Sequence, residues 1–225
     1  MKIPGACLRV FLPIALLIGV WGGIASSATA AEPNLPIFTT DVLIDAGHGG
    51  IDGGASYGSI LEKDMNLSIS KKLYQILVSH GYHPVLHRME DYALSDDNRW
   101  LRTSRHLKDL ALELKPKLMV SLHMNVSSSP AHRGPLVIYP QRNRISYEFA
   151  SLLQDELNRL YGLKKIARMG SAFYILKQDI CPAVIIEMGF ISNKQDRQWL
   201  LTEDGQRKLA EAIYHAIDEY FIQVY

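Results

Sequence analysis

The sequence predicts an α/β fold, a single domain with a mostly parallel sheet of about six strands and helices on both faces. Three observations predict it. Short apolar runs alternate with helical patterns along most of the chain, which is the signature of a sheet covered on both sides. Two of those runs, "LMVSL" and "AVII", are almost unbroken in apolar character, as strands buried on both faces tend to be. The chain has 225 residues, enough for one sizeable domain and too few for two ordinary ones.

Residues 1–30 stand outside that domain. Lys2 and Arg9 give a basic start, Val10 to Ala25 is a 16-residue apolar run, and Ala28-Thr29-Ala30 offers a small-residue cleavage site. That pattern reads as a secretory signal, and the run is short of the about 20 residues a bilayer span needs. A retained membrane anchor is the alternative. Either way the protein is expected to be exported, to an extracellular, cell-wall or periplasm-like space. Residues 31–40, "AEPNLPIFTT", hold two prolines and no periodicity, and read as a linker to a domain over 41–225.

Within the domain the expected strands are Val42–Ala46, Pro84–His87, Leu118–His123, Leu136–Tyr139, Ala172–Leu176 and Ala183–Glu187. Met65, Ile69, Leu73 and Leu77 recur every four residues, and Gly81 follows as a stop, so a helix is expected between the first two strands. Phe149, Leu152, Leu153 and Leu157 mark a helix starting near Ser146 and closed near Gly162; Leu209, Ile213 and Ile217 mark the last. "MEDYALSDDN" reads as a solvated loop, and no internal repeat or later module is evident.

Charge excludes some partners. Without Lys2 and Arg9 the remaining part keeps 22 of 24 basic residues against 23 acidic ones, so neither nucleic acid nor an anionic membrane surface is indicated as the main partner. With Cys7 in the leading segment, Cys181 is the lone cysteine of the domain and is expected to be a small buried hydrophobe. Stability must then come from the core alone.

The chemistry gathers at strand ends. His48 closes "VLIDAGH", His123 closes "LMVSLH" and Glu187 closes "AVIIE". Ligands in open α/β sheets bind beyond the carboxyl ends of strands, so these three side chains should converge on one crevice. Glu62 begins the first helix, 14 residues past His48, after a turn with five glycines between 47 and 54. Those glycines allow the backbone to double back and bring Glu62 to His48. Two histidines and one carboxylate with an open fourth position make a catalytic type of zinc site, leaving Glu187 as a base for the attacking water.

Other readings of the same residues stay open at this point. "GHGGIDGG" lacks the third glycine of a dinucleotide fingerprint, having Asp52 there, and lacks the Lys-Ser/Thr of a P-loop. Glu62 also stands three residues after Ser59, the spacing of a helix capping box. His80, His83 and His87 look like a second metal cluster, but His80 falls at a helix end and no carboxylate is placed beside the other two by the sequence.

The stretches "LIDAGHGGIDGGA", "LEKDMNL", "VSLHMN" and "PAVIIEMGFISN" resemble, in order, the motifs of the zinc-dependent N-acetylmuramoyl-L-alanine amidases of bacterial cell walls (the amidase-3 type). The resemblance covers about residues 41 to 221. It implies one zinc ion held by His48, Glu62 and His123, Glu187 as the catalytic carboxylate, and a twisted, largely parallel sheet. It also implies peptidoglycan as substrate, with hydrolysis of the amide joining N-acetylmuramic acid to L-alanine. Arg88 resembles the arginine of a family Thr-Arg-Asp pattern, but His87 and Met89 replace its neighbours, so no role is assigned to it. Asn125 and Asn193 are expected to shape loops. Some family members carry an inserted helix that blocks the site until a partner binds; here only "PQRNRI" joins Tyr139 to the next helix, so that plug is not expected. A short exported domain is similar to the spore-cortex or germination members. A monomer is expected, and no activator protein is identified.

Two rival functions remain. A zinc carboxypeptidase on stem peptides would want an arginine for a terminal carboxylate, and Arg133, Arg142 or Arg168 would serve. A non-catalytic peptidoglycan-binding regulator would be expected to have lost one of the four site residues, and all four are present.

Overall fold

The computed structural model describes residues 40–92, 99–141, 143–170 and 173–225. The leading segment with its expected signal and most of the linker lies outside the described residues. Within them the chain runs β1 (Val42–Ala46), a hairpin of β2 (Ser56–Tyr57) and β3 (Ile60–Leu61), α1 (Glu62–Ser79), β4 (Pro84–Leu86), α2 (Arg99–Leu114), β5 (Leu118–Asn125) and β6 (Leu136–Tyr139). Then follow α3 (Arg144–Tyr161), β7 (Arg168–Met169), a 3₁₀ turn at Ile175–Lys177, β8 (Ala183–Phe190), α4 (Lys194–Leu200) and α5 (Glu203–Val224).

The main sheet has the order β4-β1-β5-β8-β6-β7. Its first four strands are parallel, while β6 runs antiparallel to β8 and carries β7 alongside it. The chain leaves β1 through α1 to β4 on one side, then returns through α2 to β5 on the other. The boundary between β1 and β5 is therefore a topological switch point, where the connecting segments part and leave a crevice.

Alternation along the strands sorts the side chains into two layers. Val42, Ile44, Leu118, Val120, Leu122, Val184 and Ile186 face the large core built with α1, α3 and α5. Leu43, Met119, Ala183 and Ile185 face a smaller core with Leu107 and Ala111 of α2 and with Leu176. The cover on this second face is thin. Asp45, Ser121, His123 and Glu187 belong to the same alternation, so the polar residues of the sheet lie on the thinly covered side.

The helices end where the sequence placed their stops. Gly162 caps α3 in the left-handed region at φ 63°, and Gly81 follows α1 at φ 84°. Residues 140–143 alone join β6 to α3, in keeping with the short connection expected. One expected strand is absent. Residues 175–177 form a 3₁₀ turn, with Lys177 N–H donating to Tyr174 O at 3.1 Å, and Ala172 lies outside the described residues. Ile175 and Leu176 are apolar because they pack under α2; a short apolar run does not separate a buried strand from a packed turn. The edge strand is instead Arg168–Met169, exposed at both residues.

Candidate metal centre

His48 sits just past β1 with φ 64°, a left-handed conformation uncommon for a residue with a side chain. The turn after it closes on itself through paired backbone bonds between Gly49 and Asp52, at 2.9 and 3.0 Å. That closure brings the Asp52 carboxylate to His48 Nδ1 at 2.9 Å. An imidazole held at Nδ1 turns Nε2 toward the site, and Nε2 lies 3.2 Å from Glu62 Oε1. Gly47 is required here for space, because a Cβ on it would lie 2.3 Å from the His123 ring.

Glu62 is the first residue of α1, and the Ser59 capping box is not formed. The helix N-cap is Leu61, with no side-chain cap bond. The carboxylate points the other way: Oε2 accepts from Ala55 N at 2.7 Å, and Oε1 accepts from Met124 N at 2.9 Å and Asn66 Nδ2 at 3.3 Å. Asn66 also donates to Gly47 O at 3.0 Å, tying α1 to the histidine turn. His123 Nδ1 approaches the same Oε1 at 3.0 Å. The ligand atoms of His48, Glu62 and His123 all lie within 4.8 Å of one another, the sole such group of three among the described residues.

The electrostatics follow from the crowding. Burial acts to lower His48, but Glu62 and then Asp52 raise its pKa to about 9. Burial acts to raise Glu62, yet His123 and His48 hold it well below the usual carboxylate range. One buried carboxylate thus carries two imidazoles with proton affinity to spare, and a divalent cation satisfies all three groups at once. The donor set of two imidazoles and one carboxylate fits zinc.

Glu187 faces His123 across the β5–β8 pair. Its Oε2 is buried and has no hydrogen-bond partner, an arrangement that is costly unless something else uses the oxygen. Burial pushes the carboxyl above its usual range, partly offset by His123 and reinforced by Glu62. All four residues line a single cavity of about 700 Å³ with Phe173 and Tyr174. Asp52 and Asn66 complete the site and were not singled out from the sequence; Asn66 stands one helical turn past Glu62, so the i, i+4 spacing carried that signal.

The other histidines lie elsewhere. His80 stacks on Tyr214 at 4.3 Å and bonds Ile76 O. His83 and His87 do have carboxylates beside them, contrary to expectation: His83 Nδ1 is 3.1 Å from Asp41, and His87 Nδ1 is 2.9 Å from Asp45. Strand pairing places these partners, on β1 and just before it, 42 residues away in sequence. The three histidines do not converge. His87 Nε2 instead meets His106 at 3.1 Å, and Ser121 Oγ donates to Asp45 at 2.6 Å.

Arg88 is 2 % exposed and donates to the carbonyls of Ala46 and Lys63 at 2.8 Å and of Gly47 at 3.2 Å, so it clamps the histidine turn to α1. Asn193 caps α4 and reaches Pro130 O, and Asn125 accepts from Val126 N; both shape loops as expected. Burial raises the Cys181 thiol to about 11. Of the arginines considered for a carboxylate, Arg133 lines a different cavity, Arg168 is exposed and Arg142 lies outside the described residues.

Comparison with known proteins agrees with this geometry. An uncharacterised protein of Bacillus subtilis, YqiI, is 34% identical over 96% of this chain and 100% of its own length. The germination-specific N-acetylmuramoyl-L-alanine amidase of the same organism is 29% identical over 84% of this chain and 83% of its own. The CwlD amidase of Clostridioides difficile, solved in complex with the GerS lipoprotein, superposes with TM-score 0.79 at 31% identity, covering 82% of this chain and 100% of that one. The family model for N-acetylmuramoyl-L-alanine amidases matches residues 42–219, a span that includes every residue of the centre, and the chain belongs to that family.

Proposed function

We propose that this protein hydrolyses the amide between N-acetylmuramic acid and L-alanine in peptidoglycan, using one zinc ion held by His48, Glu62 and His123, with Glu187 as general base and acid. The observation that carries the reading is the convergence of three ligand atoms within 4.8 Å beside a buried carboxylate oxygen with no partner. When bound there, zinc supplies Lewis acidity toward the substrate carbonyl and toward water.

The protein's own groups do the rest. Asp52 fixes the His48 tautomer, and two backbone N–H groups with Asn66 hold the Glu62 carboxylate in place. Glu187 takes a proton from the attacking water and returns it to the leaving amine of alanine. A carboxyl shifted upward by burial is suited to both halves of that exchange. All four side chains come from one chain, which supports a monomer as the acting unit. The complex of the C. difficile relative with a lipoprotein supports a protein partner for this chain as well. The basic start, apolar run and Ala-Thr-Ala site support export with cleavage after Ala30; the intact mass of the exported protein checks this, and a species starting at Met1 means an anchor.

Mass spectrometry of peptidoglycan digested by the zinc-loaded protein should show new L-alanine amino termini, with no new reducing sugars. Release of D-alanine would indicate the carboxypeptidase instead, and intact peptidoglycan the non-catalytic regulator. His123→Ala should lose zinc by elemental analysis while His83→Ala keeps it. Glu187→Gln should retain zinc and lose about 10²–10⁴-fold in turnover; wild-type turnover in that variant removes Glu187 from the mechanism.

A further inference from the structure

A second cavity, of about 240 Å³, is lined by Arg133, Leu160, Tyr161, Gln195, Asp196 and Trp199. We propose that it is a carboxylate subsite for the stem peptide of the substrate, with Arg133 as the recognising group. The proposal rests on the amidase reading above and deepens it.

Among the described arginines that are buried or half-buried, Arg133 has the fewest partners. Arg88 spends its donors on buried carbonyls, and Arg197 bonds Ile191 O while stacking 3.5 Å from the Tyr57 ring. Arg133 is half-buried with a single long bond, Nη2 to Tyr161 O at 3.4 Å. Its Nε is buried without a partner, and it forms no ion pair among the described residues. The acid that lines the same cavity, Asp196, is engaged elsewhere: its Oδ2 accepts from Gly134 N at 2.6 Å and Phe190 N at 2.9 Å. A guanidinium offers a planar fork of donors matched to a carboxylate.

The backbone that carries it is fixed in advance. Lys165 Nζ donates to the carbonyls of Arg133 and Gly134, and Gly134 sits at φ 79°, where a Cβ would strike Leu163. With the backbone already held, its ordering adds little to the cost of binding. Trp199 and Tyr161 meet edge to face at 5.0 Å and give the cavity an apolar wall for an aliphatic residue bearing the acid.

Position identifies the ligand. Asp196 holds Gly134 and Phe190 together, which puts Arg133 beside Phe190, three residues beyond Glu187 on β8. The cavity's walls Leu160, Tyr161 and Trp199 pack against the large core, on the other side of the sheet from Glu187, so the path between the two sites runs over the carboxyl end of β8. The loop after β5 spans that end, with Val126 lining the metal-site cavity and Arg133 lining this one, and a stem peptide leaving the cleaved amide follows it. The glycan side does not fit, because the lactyl carboxyl of muramic acid is consumed in that amide.

Two substrates test this: a muropeptide with free stem-peptide carboxylates, and the same molecule with them amidated. Loss of a charged hydrogen bond predicts a ten- to hundredfold rise in KM for Arg133→Met on the acid substrate, with kcat little changed. The amidated substrate should show the higher KM already with wild type and no further rise in the variant, and Arg133→Lys should recover part of the loss. Calorimetric titration of the free stem peptide into the metal-free protein gives a second readout, with binding lost in Arg133→Met. Equal KM for both substrates with wild-type protein overturns the subsite, even if Arg133→Met fails to fold. A wild type that binds the acid peptide through Arg133 but cleaves nothing keeps the subsite and overturns the amidase reading.

Discussion

Arg88 shows at the level of one side chain how the metal centre is braced. It was assigned no role from the sequence because His87 and Met89 replace the neighbours of the family pattern, and the partners that matter are backbone carbonyls no pattern names. Those carbonyls belong to Ala46, Gly47, Lys63 and Glu90, so one guanidinium holds the residue before the His48 turn and the residue after Glu62. Arg88→Met leaves these acceptors unmet and removes a buried charge whose solvation they provide. Each charge-assisted bond is worth about 1.5–3 kcal/mol, and a net destabilisation of about 3 kcal/mol or more is expected in urea unfolding. If His48 and Glu62 hold zinc as proposed, zinc affinity should fall with it, since both segments lose a fixed contact; an unchanged midpoint and unchanged zinc titration would show that the clamp is dispensable. His48, Glu62, His123 and Glu187 were picked out in the sequence because each follows an apolar run or begins a helix, although β5 and β8 run on past His123 and Glu187 to Asn125 and Phe190. Asp45 and His106 were not, because the contacts that define them run between strands or from helix to strand.

Among the elements, those buried on both faces were the readable ones. β1, β5 and β8 are nearly continuous apolar runs because α1, α3 and α5 cover one side and α2 the other. β7 carries no such mark: Arg168 and Met169 are exposed, and backbone pairing to Ile138 and Tyr139 alone makes them a strand. The reverse error, an expected strand at 172–176, came from side chains that are apolar to cover α2 rather than to line a sheet. The short hairpin of β2 and β3 and the seven-residue α4 are too brief for periodicity to register. The hairpin nevertheless leads directly into Glu62, and Arg197 of α4 stacks on its Tyr57, so elements invisible in the sequence support a candidate ligand that the sequence pointed to. Local patterns encode burial over several turns or alternations, and pieces this short leave little of it to read.

Across the whole molecule, one buried polar row ties the layers together on the thin face of the sheet. His106 of α2 meets His87 at the end of β4, His87 meets Asp45 of β1, and Asp45 accepts from Ser121 of β5. Burial acts to raise Asp45, but His87 first, then His123 and Ser121, hold its pKa at about 2 against an ordinary 3.8. The folded value lies below the unfolded one, so the stabilisation is fully present above pH about 4. It is lost as the pH falls from there through about 2, below which folded and unfolded chains bind the same proton. A shift of this size corresponds to roughly 2 kcal/mol, a sizeable part of the about 5–15 kcal/mol that holds a domain together. Urea unfolding followed from pH 4 down to pH 2 should therefore show stability falling by at least that amount in the wild type, with other depressed carboxylates such as Asp41 adding to the slope. Asp45→Asn keeps an acceptor for Ser121 but has no proton to bind, so its fall over the same range should be shallower by roughly 2 kcal/mol. Parallel pH curves for the two proteins would mean that the row contributes contacts but no proton linkage.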